Sequence, residues 1–245
     1  MDERGFSAFV YLVCGIYFKH NQTTMSELNT IIHEYLKVVA NMKEYVAEQL
    51  ELGFLELTAP FDKMTIEKLR AEVMACTRCE LHKTRQNVVF GEGNENADLV
   101  FIGEAPGAEE DQQGRPFVGA AGQLLTKIIE AMKFTREEVY IANVLKCRPP
   151  NNRDPLPNEV NHCKPFLTRQ LELIKPKIIC VLGTHAAHAL INSSEGITRM
   201  RGQFYMYNSI KVMPTFHPAY LLRNESAKRP VWSDVQKIME ELGKQ

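Results

Sequence analysis

The sequence predicts an α/β domain built on a parallel sheet, and three observations predict it. From about residue 85 onward, short apolar runs of strand length alternate with stretches of helical periodicity. Glycine or proline closes most of those runs. No internal repeat or low-complexity tract breaks the pattern. Strand–helix alternation of this kind indicates β-α-β units, with helices covering both faces of the sheet. The 245 residues suffice for one sizeable α/β domain plus an appendage.

The N-terminal part reads as that appendage. Phe6–Phe18 is apolar but only thirteen residues long, too short to cross a bilayer as a helix. It follows Asp2 and Glu3 rather than a basic segment, and no small-residue cleavage site is evident. It therefore reads as a packing or interfacial helix in a cytoplasmic protein, and Met25 is an alternative start. Ser26–Leu52 carries Leu28, Ile31, Ile32, Tyr35, Val39, Met42, Val46 and Leu50 at helical spacing. Thr58–Lys63, with Pro60, reads as a linker, and Thr65 can cap a short helix running towards Cys76. The expected division is a helical extension, 1–64, and a main domain, 65–245.

Within the main domain, Asp98–Gly103 reads as the first strand. Leu124–Met132 follows as a helix and Val139–Val144 as the second strand. Asn158–Ile174 is the next helix, stopped by Pro176, and Ile178–Leu182 is the third strand. Thr184 caps a helix to Ile191, and Ile210–Met213 is a fourth strand ended by Pro214. Pro230 suits the first turn of a last helix through Leu242. Sites in such folds form in the loops at the carboxyl ends of the strands. The most unusual local sequences lie there: Gly103–Gly107 after the first strand, Asn143 closing the second, and His217-Pro218 after the fourth.

The net charge of -1 excludes a globally basic nucleic-acid binder, so any such footprint is local. One basic stretch exists. Ile197–Arg229 holds Arg199, Arg201, Lys211, Arg223, Lys228 and Arg229 against the single acid Glu225. The six cysteines are unevenly spaced and do not form the framework of a secreted disulfide scaffold. Cys76 and Cys79 form a C-x2-C pair, and Cys147 and Cys163 can complete four soft ligands. That set suits either a 4Fe–4S cluster or tetrahedral zinc. Cys14 and Cys180 fall outside it, and Cys180 reads as a small core residue.

Four motifs together carry a specific resemblance. They are Gly103-Glu-Ala-Pro-Gly107, Gly114-Arg-Pro-Phe-Val-Gly119, Asn143-Val-Leu-Lys-Cys147-Arg-Pro-Pro150 and His217-Pro-Ala219. Over Cys76 to Asp234 the chain resembles the family 4 uracil-DNA glycosylases. The resemblance implies a three-layer α/β/α sandwich with a four-stranded parallel sheet. It also implies a 4Fe–4S cluster on Cys76, Cys79, Cys147 and Cys163, and hydrolytic removal of uracil from DNA, the first step of base excision repair.

The residues suit that chemistry. An extruded uracil needs a flat wall, an edge reader, a donor for the departing base and a water nucleophile. Phe117 can stack on the ring. The Asn143 amide can accept from N3–H and donate to O4, a polarity that cytosine reverses. Glu110 maps to the acidic side chain that the family places near C5, where it refuses thymine. His217 can donate to O2 as negative charge builds there, with backbone N–H groups of Gly103, Glu104 and Ala105 adding to the anion-binding surface. Glu104 is the candidate for orienting water, because Ala105 stands where another glycosylase family has an aspartate. No nucleophilic lysine is suggested, so lyase activity is not expected. Leu221 or Leu222 can wedge into the vacated base stack while Arg223, Lys228, Arg229 and Arg201 meet phosphates. The expected partner is uracil-containing DNA, with no membrane association and a monomeric chain. Two rivals stand beside this reading: a metal-stapled DNA-binding module without catalysis, and a glycosylase of the same fold acting on another deaminated base.

Overall fold

The computed structural model describes residues 25–51, 64–191 and 193–244, in two compact units, Met1–Lys63 and Met64–Gln245. The apolar stretch 6–18, Cys14 and the linker 58–63 lie outside the described residues. In the first unit, helix α1 (Met25–Glu51) realises the predicted amphipathic helix. Its Ile31, Tyr35 and Met42 are exposed. No helix among the described residues is long and apolar enough to cross a membrane.

The second unit is an α/β sandwich. Its strands are β1 (Glu92–Gly93), β2 (Leu99–Gly103), β3 (Tyr140–Asn143), β4 (Ile178–Leu182), β5 (Tyr205–Tyr207) and β6 (Ile210–Thr215), in sheet order β1-β3-β2-β4-β6-β5. The four central strands are parallel, as expected. Two short antiparallel strands extend the edges, so the sheet is mixed and six-stranded. At two and three residues, these edge strands are too short for period-2 alternation to register in a sequence.

The helices are α2 (Ile66–Met74), α3 (Ala108–Gln113), α4 (Ala120–Ala131), α5 (Pro157–Ile174), α6 (Thr184–Leu190), α7 (Ile197–Met200), α8 (Pro218–Arg223) and α9 (Lys228–Glu241). Thr65 caps α2 by accepting from the Lys68 N–H. Strand side chains alternate between faces. Val100 and Ile102 join Leu69 of α2 and Phe166 of α5 in one apolar layer. Leu99 and Phe101 join Leu125 of α4 and Val235 of α9 in the other.

Pro214 does not end the fourth parallel strand. β6 runs through it, paired with Val181, to Thr215. The Pro214 carbonyl accepts from Gly202 N–H on the side away from β4, so the proline nitrogen also faces away and no ladder bond to β4 is lost. This extra length carries the chain to His217.

Candidate active site

A cavity of about 520 Å3 opens at the carboxyl ends of β2, β3 and β6. Glu104, Ala105, Glu110, Phe117, Asn143, His217 and Arg223 all line it. Its size is that of a small-molecule pocket. Three chain segments far apart in sequence therefore meet here.

Gly103 lies directly beneath the Asn143 amide and the Phe117 ring. A Cβ on it would sit 2.4 Å from Asn143 Oδ1 and 2.5 Å from Phe117 Cζ, so only glycine lets the amide and the ring converge. Asn143 is 2% exposed, and its Oδ1 has no hydrogen-bond partner among the described residues. A buried acceptor left unmatched carries a desolvation cost that an incoming donor removes.

Phe117 holds a left-handed backbone, with φ of 52°, unusual for a bulky residue. Its surroundings impose that shape. Arg136 donates to the carbonyls of Phe117 (3.2 Å) and Pro116 (2.9 Å), and Glu92 anchors the same guanidinium at 2.6 Å. Gly122 of α4 abuts the Phe117 carbonyl, where any Cβ would come within 1.9 Å. Composition and spacing did not reveal this brace, since neither Arg136 nor Glu92 lies in a motif.

Glu110 lines the cavity, but its carboxylate is committed to backbone. Oε1 accepts from the N–H groups of Val118 (2.9 Å) and Gly119 (3.0 Å), and Oε2 from Gly107 (3.1 Å). It ties the loop after β2 to the loop bearing Phe117. Its neighbour Asp111 is buried and accepts from Gln86 and Asn87 N–H, so these two adjacent acids brace different loops.

His217 Nδ1 accepts from the Ala219 N–H at 3.1 Å, which leaves Nε2 to carry the ring proton. Burial pushes its pKa down to about 4, against a smaller upward pull from Glu110. The imidazole is therefore a neutral donor near pH 7. Its ring centroid lies 5.6 Å from that of Phe117. Thr215, two residues earlier, donates to Asp234 at 2.6 Å and so anchors the end of β6.

Glu104 accepts from His185 Nδ1 at 2.6 Å. His185 lies in none of the four motifs, and this hydrogen bond brings it beside a cavity residue. Its position at the start of α6, beyond β4, was the available signal.

Two expected DNA contacts move. Leu221 is 2% exposed and belongs to the core beside Val231, so it cannot wedge; Leu222 is 52% exposed. α8 faces Leu221 inward, and its neighbour necessarily points away. Arg201 is spent internally, bound to both carboxylate oxygens of buried Asp234 and to the Pro230 carbonyl. Lys211 and Lys228 pair with Glu241 and Glu225. Arg199, Arg223 and Arg229 are exposed and have no ion-pair partner among the described residues.

Cys76, Cys79, Cys147 and Cys163 line one small pocket of about 10 Å3. All four are free thiols. Among the described residues, the one group of three or more potential ligands with all donor atoms within 4.8 Å of one another is Glu104, Asp154 and His185. Four soft thiol donors lining one pocket suit either a 4Fe–4S cluster or a tetrahedral zinc ion. Burial raises the Cys79 and Cys147 pKa values and pushes that of Cys163 up to about 12. Arg85 donates to Cys147 Sγ at 3.1 Å. Cys180 is buried in β4, apart from this pocket.

The α/β fold with its cavity at the strand ends belongs to a known class: the family model described as the Uracil DNA glycosylase superfamily matches residues 90–241. The chain is 46% identical over 188 residues to a type-4 uracil-DNA glycosylase of Archaeoglobus fulgidus, covering 74% of this chain and 94% of that one. It is 48% identical over 176 residues to a type-4 uracil-DNA glycosylase of Thermotoga maritima, covering 70% and 92%. A type-5 uracil-DNA glycosylase of Pyrobaculum aerophilum is 30% identical over 146 residues, covering 53% and 64%. The chain belongs to the type-4 uracil-DNA glycosylases.

Proposed function

We propose that the chain hydrolyses the N-glycosidic bond of deoxyuridine in DNA, releasing uracil and starting base excision repair, with Asn143, Phe117, His217 and Glu104 as its working side chains. The observation that carries this is Asn143 Oδ1, a buried, unpartnered acceptor above Gly103 and beside the Phe117 ring. It matches uracil N3–H and opposes the N3 lone pair of cytosine.

Uracil flips out of the stack and slides against Phe117. Asn143 reads its edge. As the C1′–N1 bond breaks, electrons flow onto the base, and His217 Nε2–H, already aimed by Ala219, stabilises the charge at O2. Glu104, steadied by His185, orients the water whose oxygen bonds C1′; the released proton passes to solvent or to the base. Glu110 acts in this reading by holding two loops in register, with its aliphatic stem towards C5. Leu222 fills the vacated stack and Arg223 meets a phosphate.

The four cysteines would hold a 4Fe–4S cluster. When bound, it supplies a covalent staple between the segment before the sheet and the chain around Cys147 and Cys163. The chain works as a monomer in the cytoplasm.

Incubation with a uracil-containing oligonucleotide followed by alkali tests the reading. Strand cleavage at uracil, and none at cytosine or hypoxanthine, is expected. No cleavage at any base would leave a DNA-binding module, and cleavage at hypoxanthine alone would assign another substrate.

A further inference from the structure

Lys146 lies between the cysteine pocket and the base-reading residue, and the proposed mechanism does not use it. It is 1% exposed. Its Nζ donates to the Asn143 carbonyl at 2.8 Å, and its backbone N–H donates to Cys163 Sγ at 3.2 Å. It also lines the cysteine pocket. No carboxylate pairs with Nζ among the described residues. An ammonium buried with one hydrogen bond and no anion is costly, so its place in the fold calls for negative charge nearby. Four ligated thiolates supply it: a 4Fe–4S core of charge 2+ on four cysteinates leaves a net charge of about −2.

We infer that Lys146 is a positioning residue that serves as buried counter-charge to the loaded cysteine pocket and, through the Asn143 carbonyl, fixes the residue that reads uracil. The pocket and the cavity are then one mechanical unit. Asn143 ends β3, and the chain turns at once through Val144 and Leu145 to reach Cys147. The Leu145 N–H donates to the Glu104 carbonyl at 3.0 Å and the Val144 N–H to the Gly103 carbonyl at 3.0 Å, so the turn is pinned to the loop after β2. The Lys146 side chain folds back to hold the carbonyl of Asn143 itself. This inference rests on the assignment of Asn143 as base reader.

A double-mutant cycle on the iron-loaded full chain tests it, with iron content after chelator challenge measured on the same preparations. Lys146→Met removes charge and donor at similar volume. Asn143→Ala alone should lower single-turnover uracil excision by about 100-fold or more. Lys146→Met alone should lower it by roughly 10-fold and speed iron loss by about 10–100-fold, the range for outer-shell partners of a metal site. In the Asn143→Ala background, Lys146→Met should change excision by less than about 2-fold while still speeding iron loss. Additive losses of excision would reduce Lys146 to a general structural role and overturn the inference, as would unchanged iron retention. Wild-type excision by Asn143→Ala would instead sink the base-reader assignment. If Lys146→Met proves insoluble, Lys146→Gln, which keeps a shorter neutral donor, is read by the same criteria.

Discussion

His217 and Ala219 settle a proton between them: the backbone N–H of Ala219 donates to His217 Nδ1, so the ring proton sits on Nε2. Since burial also holds the imidazole neutral to about pH 4, the donor needs no protonation step at neutral pH. Nitrogen-resolved NMR should find the Nε2–H tautomer, with no titration near the ordinary value of 6.5. The stability consequence has a definite sign. Between about pH 6.5 and 4 the unfolded chain takes up a proton that the folded chain refuses. This group therefore costs nothing above pH 6.5, and it destabilises progressively as pH falls towards 4. His217→Gln should flatten that slope in denaturant melts.

Removing the donor tests its role in bond breaking. His217→Ala should slow single-turnover excision by roughly 10²–10³-fold. Its affinity for uracil-containing DNA, read by anisotropy, should stay within about 3-fold of wild type, because the lost interaction strengthens only as charge develops. An unchanged rate would remove His217 from leaving-group stabilisation.

Gly122 packs against the backbone of Phe117, the proposed stacking wall. Gly122→Ala puts a methyl into the Phe117 carbonyl and must displace it. Excision should fall by about 10²-fold, since misplacement of a positioning group by an ångström costs that much. Inhibition by free uracil should weaken in parallel, with far-UV circular dichroism unchanged.

Leu222, the proposed wedge, and Arg201, an internal brace, separate cleanly. Leu222→Ala should leave the melting temperature unchanged and lower excision from double-stranded more than single-stranded DNA, because only the duplex needs a plug. Arg201→Ala should destabilise the fold by about 3–5 kcal/mol by stranding buried Asp234. The intrinsic effect of Arg201 on DNA affinity should be small at a temperature where the variant stays folded.

β2, β3 and β4 were legible because each is a wholly buried, largely apolar run; β6 starts half-buried and runs on through Pro214, so its end was misplaced. The cavity residues were legible because they cluster in motifs at those strand ends. What escaped reading were relationships between motifs. Arg136 reaches Phe117 from 19 positions away, and His185 reaches Glu104 across 81. Nothing local marks either. Arg201 looked like a phosphate contact because its buried partner, Asp234, lies 33 residues on in α9. Leu221 and Leu222 are chemically identical in sequence; only the rotation of α8 against the core decides which one is free.

The most direct test of the account is single-turnover excision by Asn143→Asp on paired oligonucleotides carrying uracil or cytosine at one position. A protonated carboxyl can present a donor to cytosine N3, and an ionised one repels uracil O4. The account predicts that uracil excision drops by at least about 10²-fold while cytosine release becomes detectable. Full uracil activity in this variant, with cytosine still untouched, would contradict it.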